Sequence, residues 1–549
     1  MTVAVAPRVR LEEQCATLLA DALRWWPMTG AAVCVVDGDG TVIDVCDGTA
    51  GLGSMQPVTG HSRFEIGSIS KSFTSFALLQ LAEQGRVDLS ASVMDYLPWF
   101  SVQGGFGAIT LRHLLHHTSG LNAGSDAFAD ALPQALLLSD STTAAPPGDF
   151  FHYSNAGYIL LGLVIEQITG RSLAAVTREQ LLQPLAMHET AGAITADGHH
   201  LMVSGTQPLR HDQPILPGDV LAPAVLVEAD GGEGHIVSTS TDMGRYARML
   251  IGRGELDGVR VLSEASIRQT MRDRAPSDAL ANIPGRYGLG LIVEKKNGHT
   301  LLTHSGGMVG YNSHLAVDMT AGIGVVVLTN ANGGSGPAEM LSRAILDLAT
   351  GGVGVGSARL NRSRVRDSQR YEGIWTDGTS TIQVVRGATE DGLALIADGV
   401  SGAFYGTPQT RLACAHPSWR RFHHHLVGGD GDERWVYGEQ VLTRIGLERG
   451  SEARDAGSEA STLVGHYRSY SPWYPSFRIV VRAGSLHLIA ATGVEAPTDD
   501  PILVPLGPGV FRIGQDARLP ERLVAGPVVD GSTAWVERDG FRYSRFFRA

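Results

Sequence analysis

Phe64-Glu65-Ile66-Gly67-Ser68-Ile69-Ser70-Lys71 is the stretch on which the reading of this chain turns. Lys71 is one of three lysines among 549 residues, and the other two, Lys295 and Lys296, are adjacent. The other 41 of the 44 basic residues are arginine. Arginine does not give up its proton in a protein, whereas a desolvated lysine can, so a position that acts as a base would resist replacement. After Ser68 a helical pattern runs to about Gln84, with Phe73, Phe76, Ala77 and Leu81 on one stripe and Gly85 closing it. A spacing of three places the Ser68 and Lys71 side chains on one face, one turn apart. Ile66, Ile69 and Phe73 would keep the pair dry, and a dry site favours the neutral amine over the ammonium. The positive end of the helix works in the same direction and would stabilise an anion forming at a substrate carbonyl. A serine nucleophile needs a nearby base, and Lys71 is the candidate. S-x-x-K alone is a common coincidence, so the tetrad needs partners elsewhere.

The composition is that of a soluble globular protein, 43% hydrophobic and 18% charged. A formal charge of −12 leaves no basic surplus to neutralise phosphates, which argues against nucleic acid as a bulk partner. Length sets a soft expectation of two to four domains. Cys15, Cys34, Cys46 and Cys414 show no C-x-x-C spacing. Cys34 and Cys46 flank a hairpin turn and could face each other, although buried free thiols are the simpler expectation. Met1 to Arg10 has no charged segment leading into an apolar run, and Tyr158–Ile165 is far short of the ~18 residues of a membrane span. A cytoplasmic enzyme is the default, which a trimmed leader would overturn.

Residues 9–26 read as an amphipathic helix, and Ala31–Val36 and Thr41–Cys46 as strands joined by Asp37-Gly38-Asp39-Gly40. The section 87–280 reads as mainly helix and loop, including Leu111–His117, Tyr158–Thr169 and Thr241–Ile251. Strands return at Tyr287–Glu294, Leu301–His304, Ser313–Asp318 and Gly322–Thr329, before a helix at 336–350. A sheet drawn from both ends with a helical insertion between them argues for one domain over 1–352. Gly351–Ser357 opens a linker, 353–368. Two β-rich copies follow, 369–447 and 462–549, separated by a polar linker over 448–461. Tyr371-Glu372-Gly373-Ile374-Trp375 and Val464-Gly465-His466-Tyr467 open the copies. Trp435-Val436 and Trp535-Val536 close them. Each copy is large enough for a small lipocalin-like antiparallel barrel.

Tyr153-Ser154-Asn155 is the second chemical piece. A tyrosine in a loop just before a helix can relay a proton or act as base, and Asn155 can orient Lys71 and a substrate amide. The plainer alternative is a turn with Asn155 as helix cap. His304-Ser305-Gly306-Gly307 is the third. Glycine lets a substrate lie against the strand edge, and N–H groups of Gly307 and Ser68 would make an oxyanion hole beside Gly306. His304 offers hydrogen bonds and a switchable charge.

In this order the three pieces resemble the penicillin-recognising serine hydrolase superfamily, peptidase family S12. Class C β-lactamases, D-alanyl-D-alanine carboxypeptidases, related esterases and D-aminopeptidases are the relatives implied. Leu114-Leu115-His116-His117-Thr118-Ser119-Gly120-Leu121 and the run from Gly232 through Ile236-Val237-Ser238-Thr239 to Asp242-Met243 fit the same texture. The resemblance covers about residues 10–350. It implies an α+β (α/β sandwich) β-lactamase-like domain, with an antiparallel sheet, flanking helices and a helical insertion. It also implies Ser68 as acylated nucleophile, Lys71 as base or proton shuttle, Tyr153 as its partner, and Asn155 and His304 as supporting groups. His304 stands where many β-lactamases carry the lysine of a K-T-G triad. That departure favours an ester, amide or short peptide over a carboxylate-demanding antibiotic. Two C-terminal barrels are similar to the arrangement in D-aminopeptidases, where a loop of the last barrel enters the site. Tyr470-Ser471-Pro472-Trp473-Tyr474-Pro475 is the candidate for such a loop.

His423-His424-His425 is the most metal-like tract, but adjacent histidines on a strand point to opposite faces and no ligand cluster accompanies them. His116-His117 and His199-His200 are set aside likewise. No metal or other cofactor is expected. The leading expectation is an amidase or peptidase acting through an acyl-enzyme on a small or modified peptide, D-amino-acid-containing and linearised cyclic peptides included. Rivals are an esterase or acyltransferase on the same machinery, and a non-catalytic peptide-binding sensor. The expected partner is a small molecule or short peptide, without nucleic acid or membrane; a homodimer stays open.

Overall fold

Gly30–Val36 (β1) is buried along its whole length, and that requires cover on both faces. The computed structural model describes residues 8–545 apart from 125–128, 277–282, 333–335, 352–360, 388–391, 408–410, 430–431, 446–457, 495–496 and 498. β1 joins Thr41–Gly48 (β2), Arg286–Tyr287 (β3), Ile292–Lys296 (β4), His299–Met308 (β5), Tyr311–Asp318 (β6) and Ile323–Thr329 (β7). The antiparallel sheet runs β2-β1-β7-β6-β5-β4-β3. β1 pairs with β7 from Ala31↔Thr329 to Val36↔Gly324, so the two ends of the first domain close one sheet. Asn330 fastens that closure: its buried Oδ1 accepts from the N–H groups of Thr29 and Gly30 at 3.0 and 2.8 Å.

Strands covered on both faces read as continuous apolar runs. Val33, Val35, Val325 and Val327 face Arg8–Trp25 (α1) and Pro337–Ala349 (α5). Cys34, Val36, Val326 and Leu328 face Ser70–Glu83 (α2) and Ser240–Ile251 (α4), where Phe73 stacks on Tyr246 at 4.2 Å. Asn155–Thr169 (α3) packs on the far side of α2. α2 is therefore buried on all sides from Ser70 to Leu81 and not only along the expected stripe.

One reading needs correction, and one open alternative is settled. The strand expected over Tyr287–Glu294 is broken at 288–291, where Gly288 N–H bonds Leu291 O at 2.7 Å in a turn. Gly290, at φ +85°, presses on α2, and a Cβ there would meet Ser75 Oγ at 2.4 Å. Cys34 and Cys46 do not face each other: Cys34 pairs with Asp44 and Cys46 with Ala32, and both thiols are free.

Beyond the sheet domain, eight strands from Gly373 to Arg444 form a closed barrel. A second eight-stranded sheet, Gly465 to Ser544, is nearly closed by the bridge His487↔Ile502. The repeat is physical. Trp375 Nε1–H donates to Tyr371 O at 3.0 Å, and Tyr467 O–H donates to Leu463 O at 2.8 Å, each four residues back. Arg444 bonds Arg370 O in the first copy, and Arg545 bonds Thr462 O in the second. The Trp-Val pairs, however, are one residue out of step. Trp435 points into the first core, whereas Val536 takes that place in the second and Trp535 turns partly outward. In the histidine tract, His424 accepts from Trp435 Nε1 at 3.1 Å and donates to Trp419 O at 2.8 Å, so it serves the barrel core. Gly351 closes the sheet domain, and most of the expected linker after it lies outside the described residues. Its later part is tied down, with Arg362 over the Trp26 ring at 4.9 Å and bonded to Ile215 O at 2.7 Å. Most of 448–461 also lies outside the described residues, and Ser458–Leu463 is helical.

The turn that carries Ser68 is pressed against β5. Gly67 has φ +54°, and a Cβ there would meet Gly307 N at 2.8 Å. A Cβ at Gly306 would lie 1.9 Å from Ile66 O and 2.3 Å from Ser313 Oγ, which itself donates to Ile66 O at 2.8 Å. Gly306→Ala is expected to push the turn off the sheet and cost about 3 kcal/mol or more in urea unfolding. A change below about 0.5 kcal/mol would contradict this packing.

Candidate active site

Ser68 lies in a single 3-10 turn, Gly67–Ile69, which passes into α2 at Ser70. The three-residue spacing to Lys71 thus spans the junction of two helical types. Lys71 is fully buried, and its Nζ lies 3.0 Å from Ser68 Oγ, 2.8 Å from Asn155 Oδ1 and 2.8 Å from Glu233 O. The Glu233 carbonyl is delivered by a segment stitched to α2. Thr74 Oγ1 donates to Gly232 O at 2.7 Å, and Ile236 N–H donates to Ser70 Oγ at 3.1 Å.

The Asn155 side chain meets Lys71 instead of capping the helix, because the residue before it is the cap. Ser154 Oγ accepts from Gly157 N–H at 3.1 Å, and the expected alternative of Asn155 as cap is not what forms. Tyr153 projects toward the same amine, with Nζ 5.0 Å from its ring centroid and 5.6 Å from that of Tyr158. The Tyr153 ring stacks on His117 at 4.1 Å. His117 occupies the left-handed region at φ +55°; its carbonyl accepts from His152 N–H at 2.7 Å and its Nδ1 from Ser154 N–H at 3.0 Å. A non-glycine residue in that conformation, held by such contacts, belongs to the kind of strain found at functional sites. Burial holds the His117 imidazole well below its ordinary value, so it is neutral.

His304 has both ring nitrogens engaged. Nδ1–H donates to Ser305 O at 2.6 Å, and Nε2 accepts from Tyr287 O–H at 2.8 Å. Burial and then Lys71 push its pKa down to about 3. The switchable charge expected of it is absent near neutral pH. Its ring centroid lies 6.4 Å from that of Tyr153, so it meets the site through aromatic neighbours. Gly306 and Gly307 lie on β5 against Ile66 and Gly67, with Gly307 lining the cleft beside Ser68.

The cleft, about 380 Å³ counting the open space at its mouth, is lined by Ser68, Asn155, Glu233, Gly307, Met308 and Trp473, with Gln134, Val227, Glu228, Ala229 and Gly234 around them. Trp473 comes from the last barrel. It is 7% exposed and packs with the catalytic-domain core, while the next residue, Tyr474, is buried in the barrel core. Sequence reasoning missed the Glu233 carbonyl, the His117 platform and Tyr287. The runs 114–121 and 232–243 contain the first two, but a backbone carbonyl and a ring platform have no residue signature of their own. Nothing in the sequence marked Tyr287.

The β-lactamase family profile matches residues 26–350, more than half of the chain. Penicillin-binding protein 4 of Amycolatopsis lactamdurans is 31% identical over 329 residues, covering 56% of this chain and 83% of that protein. Penicillin-binding protein 4* of Bacillus subtilis is 27% identical over 286 residues, covering 48% of this chain and 60% of that protein. Among solved structures, the octameric penicillin-binding protein homologue from Pyrococcus abyssi superposes with a TM-score of 0.56 at 23% identity, over 80% of this chain and all of that one. The D-amino acid amidase of Ochrobactrum anthropi SV3 gives 0.51 at 22% identity, over 63% of this chain and 99% of that one. The last two show likeness of fold. The profile match and the first relative establish that the chain belongs to the β-lactamase family of penicillin-recognising serine hydrolases.

Proposed function

We propose that this serine hydrolase is acylated at Ser68 and cleaves an amide bond in a small or modified peptide. The observation that carries the reading is the buried Lys71 amine. Two of its partners, Asn155 Oδ1 and Glu233 O, can only accept hydrogen bonds, and the third is Ser68 Oγ at 3.0 Å. A deprotonated amine has two N–H bonds and one lone pair. In the proposed reactive form the two N–H bonds go to the acceptors and the lone pair goes to the Ser68 hydroxyl.

In the proposed reaction Lys71 takes the Oγ proton as Oγ attacks the carbonyl carbon. The oxyanion of the tetrahedral intermediate lies against the N–H groups of Ser68 and Gly307. Collapse breaks the C–N bond, and the departing amine receives the proton from Lys71 through Tyr153. Water then adds to the acyl-enzyme by the same proton path in reverse and releases the acid.

Several features support a peptide or amide without a required carboxylate. His304 is neutral, Lys71 is committed to Ser68, and the described lining of the cleft otherwise carries Glu228 and Glu233 but no arginine. A substrate carboxylate would therefore meet like charge. Trp473 closes one side and limits length, and its indole N–H is buried with no acceptor among the described residues, a donor left for a bound substrate.

Lys71→Ala is expected to lower kcat/KM by about 10²–10⁴-fold on a panel of D- and L-aminoacyl p-nitroanilides; turnover close to wild type refutes the base role. Trp473→Ala is expected to raise the kcat/KM ratio of long over short peptides about tenfold. An unchanged ratio removes Trp473 as the limit on length. A third expectation concerns acid stability. His304 is depressed in the folded chain, so the unfolded chain binds the extra proton below about pH 6.5. Stability is retained above that pH and lost as pH falls toward 3. His304→Gln should flatten the fall of urea midpoints between pH 6.5 and 4.5, and parallel curves would contradict the buried neutral state.

A further inference from the structure

The last barrel grips the catalytic domain at a second place besides Trp473. Glu521, 7% exposed, stands just before the strand Arg522–Ala525. Its Oε1 accepts from His152 Nε2 at 2.6 Å and from Ala123 N–H at 3.2 Å. Both partners lead directly to the groups around Lys71. His152 immediately precedes Tyr153, and its N–H is bonded to the carbonyl of His117, whose ring carries Tyr153. The Ala123 carbonyl accepts from Asn155 N–H at 2.7 Å. One carboxylate oxygen of the barrel thus holds both backbone segments that present Tyr153 and Asn155.

The surroundings of Glu521 reinforce this link. Asp539 Oδ1 accepts from Arg522 N–H at 3.1 Å, and Arg538 lies 3.7 Å from Asp539. The Arg538 guanidinium also covers the ring of Tyr474 at 4.7 Å, one residue from Trp473. Arg518 lies over the Phe150 ring at 4.9 Å. The segment 149–153 and the loop that inserts Trp473 are therefore both held by charged side chains of the last barrel.

We infer that Glu521 is a positioning residue that, through His152 and Ala123, fixes Tyr153 and Asn155 against Lys71, so that the last barrel completes the catalytic centre as well as covering it. This rests on the Ser68 hydrolase reading. Tyr153 lies in a loop and Asn155 in the first turn of its helix, where the backbone needs outside support. A misplacement of about 1 Å at reacting groups costs up to about 10²-fold in rate.

The test uses the full chain and whichever aminoacyl p-nitroanilide or p-nitrophenyl ester the wild type turns over. Glu521→Gln, His152→Gln and the double variant are compared in kcat, KM and melting temperature. Each single variant is expected to lower kcat about 10–100-fold with KM within about threefold. The double is expected to be no worse than the worse single, because the two act as one unit. If Glu521→Gln does not fold, His152→Gln carries the same kcat-against-KM test with the barrel carboxylate in place. A kcat within twofold of wild type overturns the inference. So do losses that multiply in the double variant, and a kcat recovered simply by cooling below the melting transition, which would make the contact interdomain glue. Failure of the underlying reading shows separately, as wild-type turnover that survives Ser68→Ala, and it overturns this inference too.

Discussion

Everything in the catalytic domain is arranged around one buried amine. Lys71 has no solvent, so its hydrogen bonds must come from the protein, and they come from three separate segments: the turn at Ser68, the helix start at Asn155 and the loop at Glu233. An unpaired buried amine would be costly, so the three segments are mutually required. The histidines nearest to it respond to the same constraint. His117, His235 and His304 are all pushed toward the neutral state, first by burial and then by Lys71. Lys71 is thus flanked by three imidazoles that burial keeps neutral.

Much of this was legible in the sequence. β1 and β7 are apolar runs because both faces are covered, and the return of strands after residue 280 correctly implied a sheet closed from both ends. The Ser68–Lys71 spacing needed only local helix geometry. Asn155 was placed with two readings open, and Ser154 decided between them by taking the cap. What was not legible depends on tertiary proximity. A backbone carbonyl such as that of Glu233 carries no residue signature. His117 looks like a ligand until its ring is seen beneath Tyr153. Tyr287 sits in a strand that breaks one residue later, at glycines whose role is close approach to α2. The Trp-Val pairs misled because a one-residue shift in a strand reverses which side chain enters the core.

The two barrels are joined to the site unequally. The first contacts the catalytic domain through Arg420, on Asp219 at 2.5 Å, and the linker before it does so through Arg362. The second supplies Trp473 to the cleft and Glu521 to the backbone behind it. Asp500 ties the barrels to each other between Arg411 at 2.9 Å and Arg482 at 3.0 Å, and those two guanidinium groups hold its carboxyl below the usual range. The two barrels thus share one core device, an aromatic ring bonded four residues back and backed by an arginine, while their loops make different contacts.

The central claim is that Ser68 is the nucleophile activated by Lys71. Intact-mass measurement with peptide mapping after reaction with a fluorophosphonate probe tests it most directly. A single adduct on the peptide containing Ser68, absent in Ser68→Ala and greatly slowed in Lys71→Ala, is the result predicted. An adduct on another residue, or labelling that persists unchanged in Ser68→Ala, would contradict it.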